Sequence, residues 1–204
     1  MPNVVRVSYQ MLKRLCVFCG SNEGNNPIYK ERAIEIGELL GRKGIGVVYG
    51  GGSIGLMGAV AEAAQRSGSE VVGIITKGLF DVEIANKAIP RLCVVGSMHE
   101  RKALMADLSD GFLALPGGFG TLEEFCEVVT WCQLGIHRKP CGLLNVNNFY
   151  DPLLNICDHA VKEGFINNID RQLILADDNP ERLINRLNSF EVPPPSKWLT
   201  SAQA

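Results

Sequence analysis

The chain has 204 residues, of which 46% are hydrophobic and 21% charged, as in an ordinary soluble globular protein that buries a full core. A net charge of -2 at pH 7 and a pI near 5.9 argue against a surface devoted to nucleic acid. No apolar run approaches the ~20 residues of a membrane span, and the N-terminus lacks the apolar segment of a signal peptide. We therefore expect a cytoplasmic protein without nucleic-acid or membrane partners.

Short apolar strands alternate with helical patterns along the chain. In order, the predicted elements are strand Arg14–Cys19, helix Pro27–Lys43, strand Gly46–Tyr49, helix Gly55–Ser67, strands Glu70–Ile75 and Leu92–Val95, helix Met98–Ser109, strand Gly111–Leu115, helix Leu122–Leu134, strand Cys141–Asn145, helix Tyr150–Glu163, apolar run Gln172–Ala176 and helix Pro180–Ser189. This alternation is typical of a mostly parallel sheet with helices on both faces, a Rossmann-like doubly wound α/β fold.

No linker or internal repeat interrupts this pattern, which predicts a single domain. We expect the domain to span residues 13–190, preceded by an N-terminal extension at 1–12. Residues 191–204 contain three consecutive prolines and are predicted to form an extended tail.

The seven cysteines are odd in number, scattered and mostly within apolar runs, which favours buried reduced thiols. Cys16 and Cys19 form a C-x-x-C pattern, but it lies in a predicted strand and has no second pair, so we interpret it as structural. The histidines are spread too widely to form a ligand set. We predict no metal site.

Glycine-rich turns follow three of the predicted strands, at Cys19–Gly24, Gly50–Gly55 and Pro116–Gly120. Because ligands of open parallel sheets bind outside the carboxyl ends of the strands, we expect all three turns to face one crevice. Three such turns together favour a ligand of nucleotide size. The dinucleotide fingerprint G-x-G-x-x-G and the P-loop pattern are both unmet. We predict no bound cofactor.

The third turn carries the strongest functional signal, because it lies between a buried strand and a helix start. Its glycines let the main chain approach an anion, and N–H groups at the start of the following helix point toward that anion. Two carboxylates, Glu123 and Glu124, come directly after the turn. A phosphate pocket beside a carboxylate suggests chemistry on a phosphorylated substrate.

Arg101 falls on the apolar stripe of its helix, which comprises Met98, Leu104, Met105 and Leu108. An inward arginine requires an anion because it does not lose its charge. That anion is either an internal carboxylate in a structural salt bridge or a ligand, and the glycine turns favour the ligand. The neighbouring Lys102 is either a solvated surface lysine or a second substrate contact.

Glu124 also has two interpretations. Thr121 and Glu124 match the capping box S/T-x-x-E, in which the glutamate would satisfy a main-chain N–H. The location argues against a cap, because added negative charge is unhelpful at a phosphate pocket. Glu123, Glu127 and Thr130 form a second polar stripe, which is either a solvated face or part of the site lining.

Two separated segments, Ser97–Lys102 and Pro116–Glu124, resemble the paired motifs of the LONELY GUY family, a helix carrying Arg-Lys and the pattern P-G-G-x-G-T-x-x-E. The similarity runs from about Cys16 to Ala176. It includes shorter motifs at Cys19-Gly20-Ser21, Tyr49-Gly50-Gly51-Gly52, Gly55-Leu56-Met57-Gly58, Thr130-Trp131, Gln133-Leu134-Gly135 and Gly164-Phe165.

The resemblance implies hydrolysis of the N-glycosidic bond in a cytokinin riboside 5′-monophosphate, releasing free base and ribose 5-phosphate. It implies Arg101 and Glu124 as the catalytic pair. It also implies a homodimer with the active site near the interface. The implied substrate contacts are Glu83, Arg101, Lys102, Gly117, Gly118, Phe119, Gly120, Thr121, Leu122, Glu123 and Thr130.

The chain departs from the family pattern at Asn147-Asn148, where an Asp-Gly-like turn is common, and at Asn86. A general AMP or 5′-nucleotide nucleosidase would share the same catalytic residues, so it is the nearest alternative. A nucleotide or cofactor carrier on the same fold is a further alternative, which the presence of Arg101 and Glu124 disfavours. Lysine decarboxylase, an older label for such sequences, requires a pyridoxal-phosphate lysine, and Lys102 lacks that setting.

Overall fold

The computed structural model describes residues 11–80 and 85–193, so Glu83, residues 1–10 of the predicted extension and residues 194–204 of the predicted tail lie outside the described residues. Within these ranges, parallel strands pair into one sheet of order β4-β3-β2-β1-β5-β6-β7. The strands are β1 (Arg14–Phe18), β2 (Gly46–Tyr49), β3 (Val71–Thr76), β4 (Arg91–Val95), β5 (Gly111–Ala114), β6 (Cys141–Leu144) and β7 (Ile174–Asp177).

Helices cover both faces of the sheet. They are α1 (Ile28–Arg42), α2 (Gly55–Arg66), α3 (Met98–Asp107), α4 (Phe119–Leu134), α5 (Asp151–Lys162), α6 (Asn168–Arg171) and α7 (Pro180–Ser189). On β1, Leu15 and Val17 face the core formed with α1, α2 and α7, whereas Cys16 and Phe18 face the core formed with α3 and α4. Alternate residues therefore supply two separate apolar layers, which confirms the predicted doubly wound α/β fold.

Most predicted boundaries lie within two residues of the observed ones, with one informative exception. Helix α4 begins at Phe119, three residues before the predicted start at Leu122, because Gly118 is its N-cap. Two short elements were not predicted: α6 and a 3-10 turn at Val146–Asn148. A single turn contains too few residues to show a periodic pattern.

The predicted stripe on α3 is only partly correct. Arg101 and Met105 are buried as expected, together with Ala106, but Met98 is 41% exposed. Met98 is the first residue of α3, so it extends beyond the core that the middle of the helix covers.

The strand order reverses between β1 and β5, and the three glycine turns meet beside this point. The N–H of Gly20, after β1, donates to the carbonyl of Pro116, after β5, at 3.1 Å. The N–H of Leu56, at the start of α2, donates to the carbonyl of Gly20 at 3.0 Å. The prediction that the turns face one region is confirmed, and the region lies at a topological switch point, where such folds bind ligands.

None of the helices within residues 11–80 and 85–193 is long and apolar enough to cross a membrane. All seven cysteines lie in the described ranges, and none of them forms a disulfide bond. Burial raises the pKa of both Cys16 and Cys141 well above the usual value of a thiol. The interpretation of Cys16 and Cys19 as structural residues agrees with their buried positions.

Candidate active site

Arg101 is the buried charge at the centre of the site. Only 5% of the residue is exposed, although a guanidinium is rarely buried without partners. Its Nε donates to the carbonyl of Ile74 on β3 at 3.0 Å, and its Nη2 donates to the carbonyl of Gly50 after β2 at 3.1 Å. Its Nη1 donates to Oε1 of Glu124 at 3.2 Å. Arg101 therefore joins α3 to strand β3, to the turn after β2 and to α4.

The anion that Arg101 meets is an internal carboxylate, so the first of the two sequence-based alternatives is correct for the protein alone. The carboxylate is Glu124, which directly follows the third glycine turn and was a candidate site residue for that separate reason. The two side chains are 6% and 12% exposed. A largely desolvated pair of this kind holds its geometry more firmly than a surface ion pair.

The position of the guanidinium depends on a glycine. A Cβ added at Gly50 would lie 2.2 Å from Nη2 of Arg101, well inside the contact distance of two heavy atoms. Gly50 thus leaves the space that the arginine occupies. This glycine lies in a turn that was predicted to face a ligand, and its packing role was not predicted from the sequence.

The capping-box interpretation of Glu124 is wrong. Because α4 begins at Phe119, Thr121 lies within the first turn and Glu124 in the second. The N-cap, Gly118, has no side-chain hydrogen bond to the helix. The Thr121 side chain instead packs over Gly117, where an added Cβ would lie 2.1 Å from its Oγ1. Glu124 therefore faces Arg101 and does not close the end of its own helix.

Lys102 bridges the same two helices beside the Arg101–Glu124 pair. Its Nζ lies 2.6 Å from Oε1 of Glu123 and 2.9 Å from Oε1 of Glu127, and its side chain is 11% exposed. Burial alone would lower the pKa of Lys102, but the two glutamate hydrogen bonds outweigh it and raise the pKa. The solvated-surface interpretation is wrong. A lysine kept protonated in this way is poorly suited to form a Schiff base.

The predicted polar stripe on α4 divides into two parts. Glu123 and Glu127 bind Lys102, so this half belongs to the contact between α3 and α4. Thr130 is exposed, and its hydroxyl donates to the carbonyl of Cys126 on its own helix at 2.7 Å. Thr130 lies six residues beyond Glu124 on α4, about one and two-thirds turns away, and within the described residues it makes no hydrogen bond to the pair.

A cleft of about 220 Å³ lies next to the third glycine turn. Its walls are the turn after β1, the segment Pro116–Gly118, and the rings of Tyr29 and Phe149. Arg101 and Glu124 lie outside this cleft, between α3 and α4. The glycine turn therefore connects two neighbouring features, because it forms one wall of the cleft and continues into the helix that carries Glu124.

The start of α4 is suited to bind an anion. The first N–H groups of a helix have no acceptor within the helix, and the helix dipole places partial positive charge there. Two carbonyl oxygens at the beginning of the turn accept hydrogen bonds from protein donors. The Leu115 oxygen accepts from the Tyr150 hydroxyl at 2.6 Å, and the Pro116 oxygen accepts from the N–H of Gly20. The sequence offered no signal for the Tyr150 contact, which spans 35 residues.

The two departures from the family pattern have simple structural descriptions. Asn147 and Asn148 both have positive φ, 50° and 59°, a conformation that asparagine tolerates better than most residues. The Asn86 N–H donates to the carbonyl of Gly51 at 2.9 Å, and the adjacent Ala85 pairs with Gly52. The segment that begins at Ala85 therefore lies against the second glycine turn.

Comparison with known proteins gives a consistent family assignment. A family described as "Possible lysine decarboxylase" matches residues 57–187. The chain is 51% identical over 179 residues to cytokinin riboside 5′-monophosphate phosphoribohydrolase LOG7 of Arabidopsis thaliana, covering 88% of this chain and 82% of that protein. It is 49% identical over 178 residues to cytokinin riboside 5′-monophosphate phosphoribohydrolase LOG of Oryza sativa subsp. japonica, covering 87% and 74%.

Solved structures with the same fold are more distant in sequence. The molybdenum cofactor binding protein of Rippkaea orientalis superposes with a TM-score of 0.65 at 23% identity, over 86% of this chain and 95% of that one. The molybdenum cofactor carrier protein of Chlamydomonas reinhardtii gives 0.66 at 18% identity, over 87% and 98%. These two show the fold alone. The family model and the similarity to the plant proteins, in contrast, place this chain in the LONELY GUY family.

Proposed function

We propose that this protein hydrolyses the N-glycosidic bond of cytokinin riboside 5′-monophosphates, which are N6-modified forms of AMP, to free base and ribose 5-phosphate. The observation that carries the proposal is the Arg101–Glu124 pair on helices beside the glycine turn. The plant relatives that are about half identical over most of the chain are named for this activity.

Glu124 is the group that we assign to the reacting sugar. Cleavage of the ribosyl C–N bond places positive charge on C1′ and the ring oxygen, and a nearby carboxylate stabilises that charge, as in glycosidases. A water molecule adds its oxygen to C1′ while the base leaves with the electron pair of the broken bond. One proton of that water is transferred through Glu124, a general base in this step, and the base nitrogen ends protonated.

In this scheme Arg101 holds the carboxylate of Glu124 in position. Three of its nitrogens already donate to protein oxygens, and only one of these three bonds goes to a side chain. The two main-chain bonds fix the guanidinium, and the third fixes the carboxylate. The positive charge of Arg101 also offsets the negative charge that develops on the departing base.

We assign the 5′-phosphate to the start of α4. The turn from Gly117 to Thr121 presents main-chain N–H groups there, and Gly118 and Gly120 have no described atom within 4 Å of an added Cβ, apart from their immediate neighbours and helix backbone. The phosphate supplies binding energy away from the reacting bond and thereby positions the sugar for attack. The remaining substrate contacts, Glu83, Lys102, Phe119, Leu122, Glu123 and Thr130, are assigned by the family resemblance.

The test is a panel of substrates given to the purified protein, with released base measured by chromatography. N6-modified AMP, AMP and other 5′-nucleotides are compared with the corresponding nucleosides. Loss of the phosphate contacts is expected to cost ~3–5 kcal/mol in the transition state, or roughly 10²–10⁴-fold in kcat/KM. Equal turnover of nucleoside and monophosphate would contradict the phosphate assignment.

The same panel distinguishes the two alternatives. A preference for AMP over N6-modified AMP identifies a general 5′-nucleotide nucleosidase. Nucleotide binding without base release identifies a carrier. The intact, mutually bonded Arg101 and Glu124 favour the hydrolase over the carrier, because simple binding does not require a buried carboxylate held by an arginine.

We further propose a homodimer with the active site near the interface. Met98 and Phe119, the first residues of α3 and α4, are exposed apolar side chains on the two helices that carry the pair. A second copy would remove this surface from water. Light scattering at micromolar concentration should give at least twice 22.2 kDa, and a fully active monomer would refute the proposal.

A cytoplasmic location completes the proposal. None of the seven cysteines, all of which lie in the described ranges, forms a disulfide bond, which suits a reducing compartment. Fractionation of cells that express a tagged protein tests the location, and recovery with secreted or membrane material would contradict it.

A further inference from the structure

Tyr150 is a buried tyrosine in contact with the glycine turn that we assign to the phosphate. It directly precedes α5, and only 1% of the residue is exposed. Its hydroxyl donates a hydrogen bond of 2.6 Å to the main-chain carbonyl of Leu115, the residue immediately before Pro116. Its own N–H donates to Oδ1 of Asn145 at 2.8 Å. The side chain thus connects two loops that lie 35 residues apart.

This hydrogen bond occupies a main-chain carbonyl oxygen at the start of the turn. A carbonyl oxygen that faced a phosphate would repel it, whereas N–H groups attract it. The Leu115 carbonyl is held by Tyr150 and the Pro116 carbonyl by the N–H of Gly20, at 3.1 Å. The N–H of Leu115 donates to the carbonyl of Phe18 at 2.9 Å, so the strand end is held on a third side.

We propose that Tyr150 is a positioning residue for the phosphate-binding turn. Its hydroxyl holds the turn from the α5 side in the conformation that directs N–H groups to the ligand. Tyr150 touches no reacting atom, and it acts through Leu115 on the groups that bind phosphate. The inference rests on the proposed function, since it concerns the same turn and assigns the same phosphate to it.

The contact also predicts which ligands depend on it. A preorganised set of donors binds an anion without first having to reorganise, and removal of one internal hydrogen bond weakens that preorganisation. Ligands that carry the phosphate should therefore lose affinity. Free adenine, which lacks it, should bind unchanged. A purely structural role of the hydroxyl would change both affinities, or the melting temperature alone.

The experiment compares Tyr150→Phe with the wild-type protein. Phenylalanine keeps the buried ring and removes only the hydroxyl. We expect KM for N6-modified AMP and the dissociation constant of ribose 5-phosphate, measured by calorimetry, to rise about 5–10-fold. We expect kcat and the inhibition constant of free adenine to remain within about twofold of wild type.

Tyr49→Phe is the matched control. Tyr49 is equally buried, and its hydroxyl bonds no atom of the glycine turns. This variant should bind ribose 5-phosphate as wild type does. Asn145→Ala is a second test variant, because it removes the acceptor that holds the Tyr150 main chain; it should weaken ribose 5-phosphate binding in the same direction. It also decides the question if Tyr150→Phe fails to fold.

The outcomes separate this inference from the proposed function. If wild type releases no base from any nucleotide but binds ribose 5-phosphate, the proposed function fails, and calorimetry still decides the role of Tyr150. Unchanged ribose 5-phosphate binding in Tyr150→Phe overturns the inference while hydrolysis by wild type stands. Equal weakening for adenine and ribose 5-phosphate overturns it too, as does the absence of ribose 5-phosphate binding to wild type.

Discussion

Two glycine turns at the same edge of the sheet use their glycines for different purposes. After β2, an added Cβ at Gly50 would meet Arg101 at 2.2 Å, and one at Gly55 would meet the carbonyl carbon of Ser21 at 2.2 Å. After β5, Gly117 is also closely packed, with Oγ1 of Thr121 2.1 Å from an added Cβ, but Gly118 and Gly120 have no described neighbouring atom within 4 Å of an added Cβ. Gly118 has φ −93°, which any residue adopts, and Gly120 lies within α4.

The difference shows that a glycine-rich turn is not in itself a ligand site. In the second turn, Gly50 and Gly55 make room for protein atoms. Neither packing nor backbone conformation requires glycine at positions 118 and 120, which supports the proposal that a ligand approaches the main chain there. Substitutions in the two turns can test whether the glycines of the second turn are needed for packing and Gly118 and Gly120 of the third for binding the substrate.

The largest effect is expected at Glu124, the carboxylate that we assign to the reacting sugar. Glu124→Gln keeps the size of the side chain and removes its charge, so the rate should fall by ~10²–10⁴-fold. The melting temperature should also fall, because the buried guanidinium of Arg101 loses the negative charge of its partner. Released base and thermal unfolding are measured on the same preparation. Glu62→Gln, a charge loss at an exposed residue of α2, is the control. Near-wild-type base release by Glu124→Gln would remove that residue from the chemistry.

Arg101→Lys is the companion to that variant. Lysine keeps the charge but lacks the planar fork that reaches Ile74, Gly50 and Glu124 together. We expect a folded and nearly inactive protein. Activity close to wild type would show that the charge alone matters and that the three-way fixation does not.

Gly50→Ala tests the packing role of the second turn. The new methyl group displaces the guanidinium of Arg101, and a misplacement of about 1 Å can cost ~10²-fold in rate. We expect kcat to fall by about 30–100-fold and the melting temperature to drop. Gly78→Ala should change neither, because an added Cβ there meets no atom of the described residues within 4 Å.

A double variant locates the cause of the Gly50 effect. If the methyl group acts through the arginine, adding Gly50→Ala to Arg101→Ala should cost little further stability. Additive losses in the double variant would place the clash elsewhere, for example at the Met57 sulfur, which an added Cβ would approach to 3.1 Å.

Gly118→Ala and Gly120→Ala test the ligand role of the third turn. The added methyl groups meet no described atom beyond the adjacent chain, so both proteins should fold, and Gly120→Ala should be slightly more stable because alanine favours the helix by ~0.5–1 kcal/mol. KM for the nucleotide should rise about tenfold, with a smaller change in kcat. A loss of stability without a rise in KM would reverse the comparison.

The smallest effect is expected at Asp177, at the end of β7 and away from both turns. Burial would raise the pKa of Asp177, but hydrogen bonds from Arg182 and the Asn179 N–H, and then from Arg186, lower it to about 2. Since the folded pKa lies below the unfolded value of 3.8, this stabilisation is present above about pH 4 and is lost as the pH falls toward 2.

Asp177→Asn should therefore destabilise the protein at neutral pH by about 1 kcal/mol, reduced from the full linkage value because the ion pairs are partly solvated. The difference from wild type should vanish near pH 2, and base release at pH 7 should not change. Unfolding midpoints across pH 2–7 provide the measurement. A difference that persists at pH 2 would mean that the carboxylate acts through shape and not charge.

The sequence predicted the features that repeat locally. Apolar strands with helices between them have periodic patterns, and the three turns follow strand ends. The fold and the meeting of the three turns were therefore predictable from the sequence. The burial of Arg101 followed from its place on a stripe. The helix start at Phe119 was not predicted, because Gly118 caps α4 without a side chain and Thr121 mimics a capping box.

Contacts between distant segments were not predictable from the same patterns. Whether Arg101 meets a ligand or Glu124 depends on how α3 packs against α4, and the two residues lie 23 positions apart. The hydrogen bond of Tyr150 and the space at Gly50 were unpredictable for the same reason. Both depend on contacts between residues far apart in sequence, which leave no pattern in the neighbouring residues. Periodicity shows which side of an element is buried but does not name the atom that it meets there.

Arg101 is held in a way that limits how mutation can disturb it. Among the described residues, two of its hydrogen bonds go to carbonyl oxygens of the main chain, at Ile74 and Gly50. Substitution changes side chains and leaves these acceptors in place, so Ile74 is open to other apolar residues without loss of the contact. The main-chain course of β2 and β3 therefore fixes the position of the arginine. Sequences that diverge widely elsewhere will keep that position as long as residue 101 is arginine and residue 50 has no side chain.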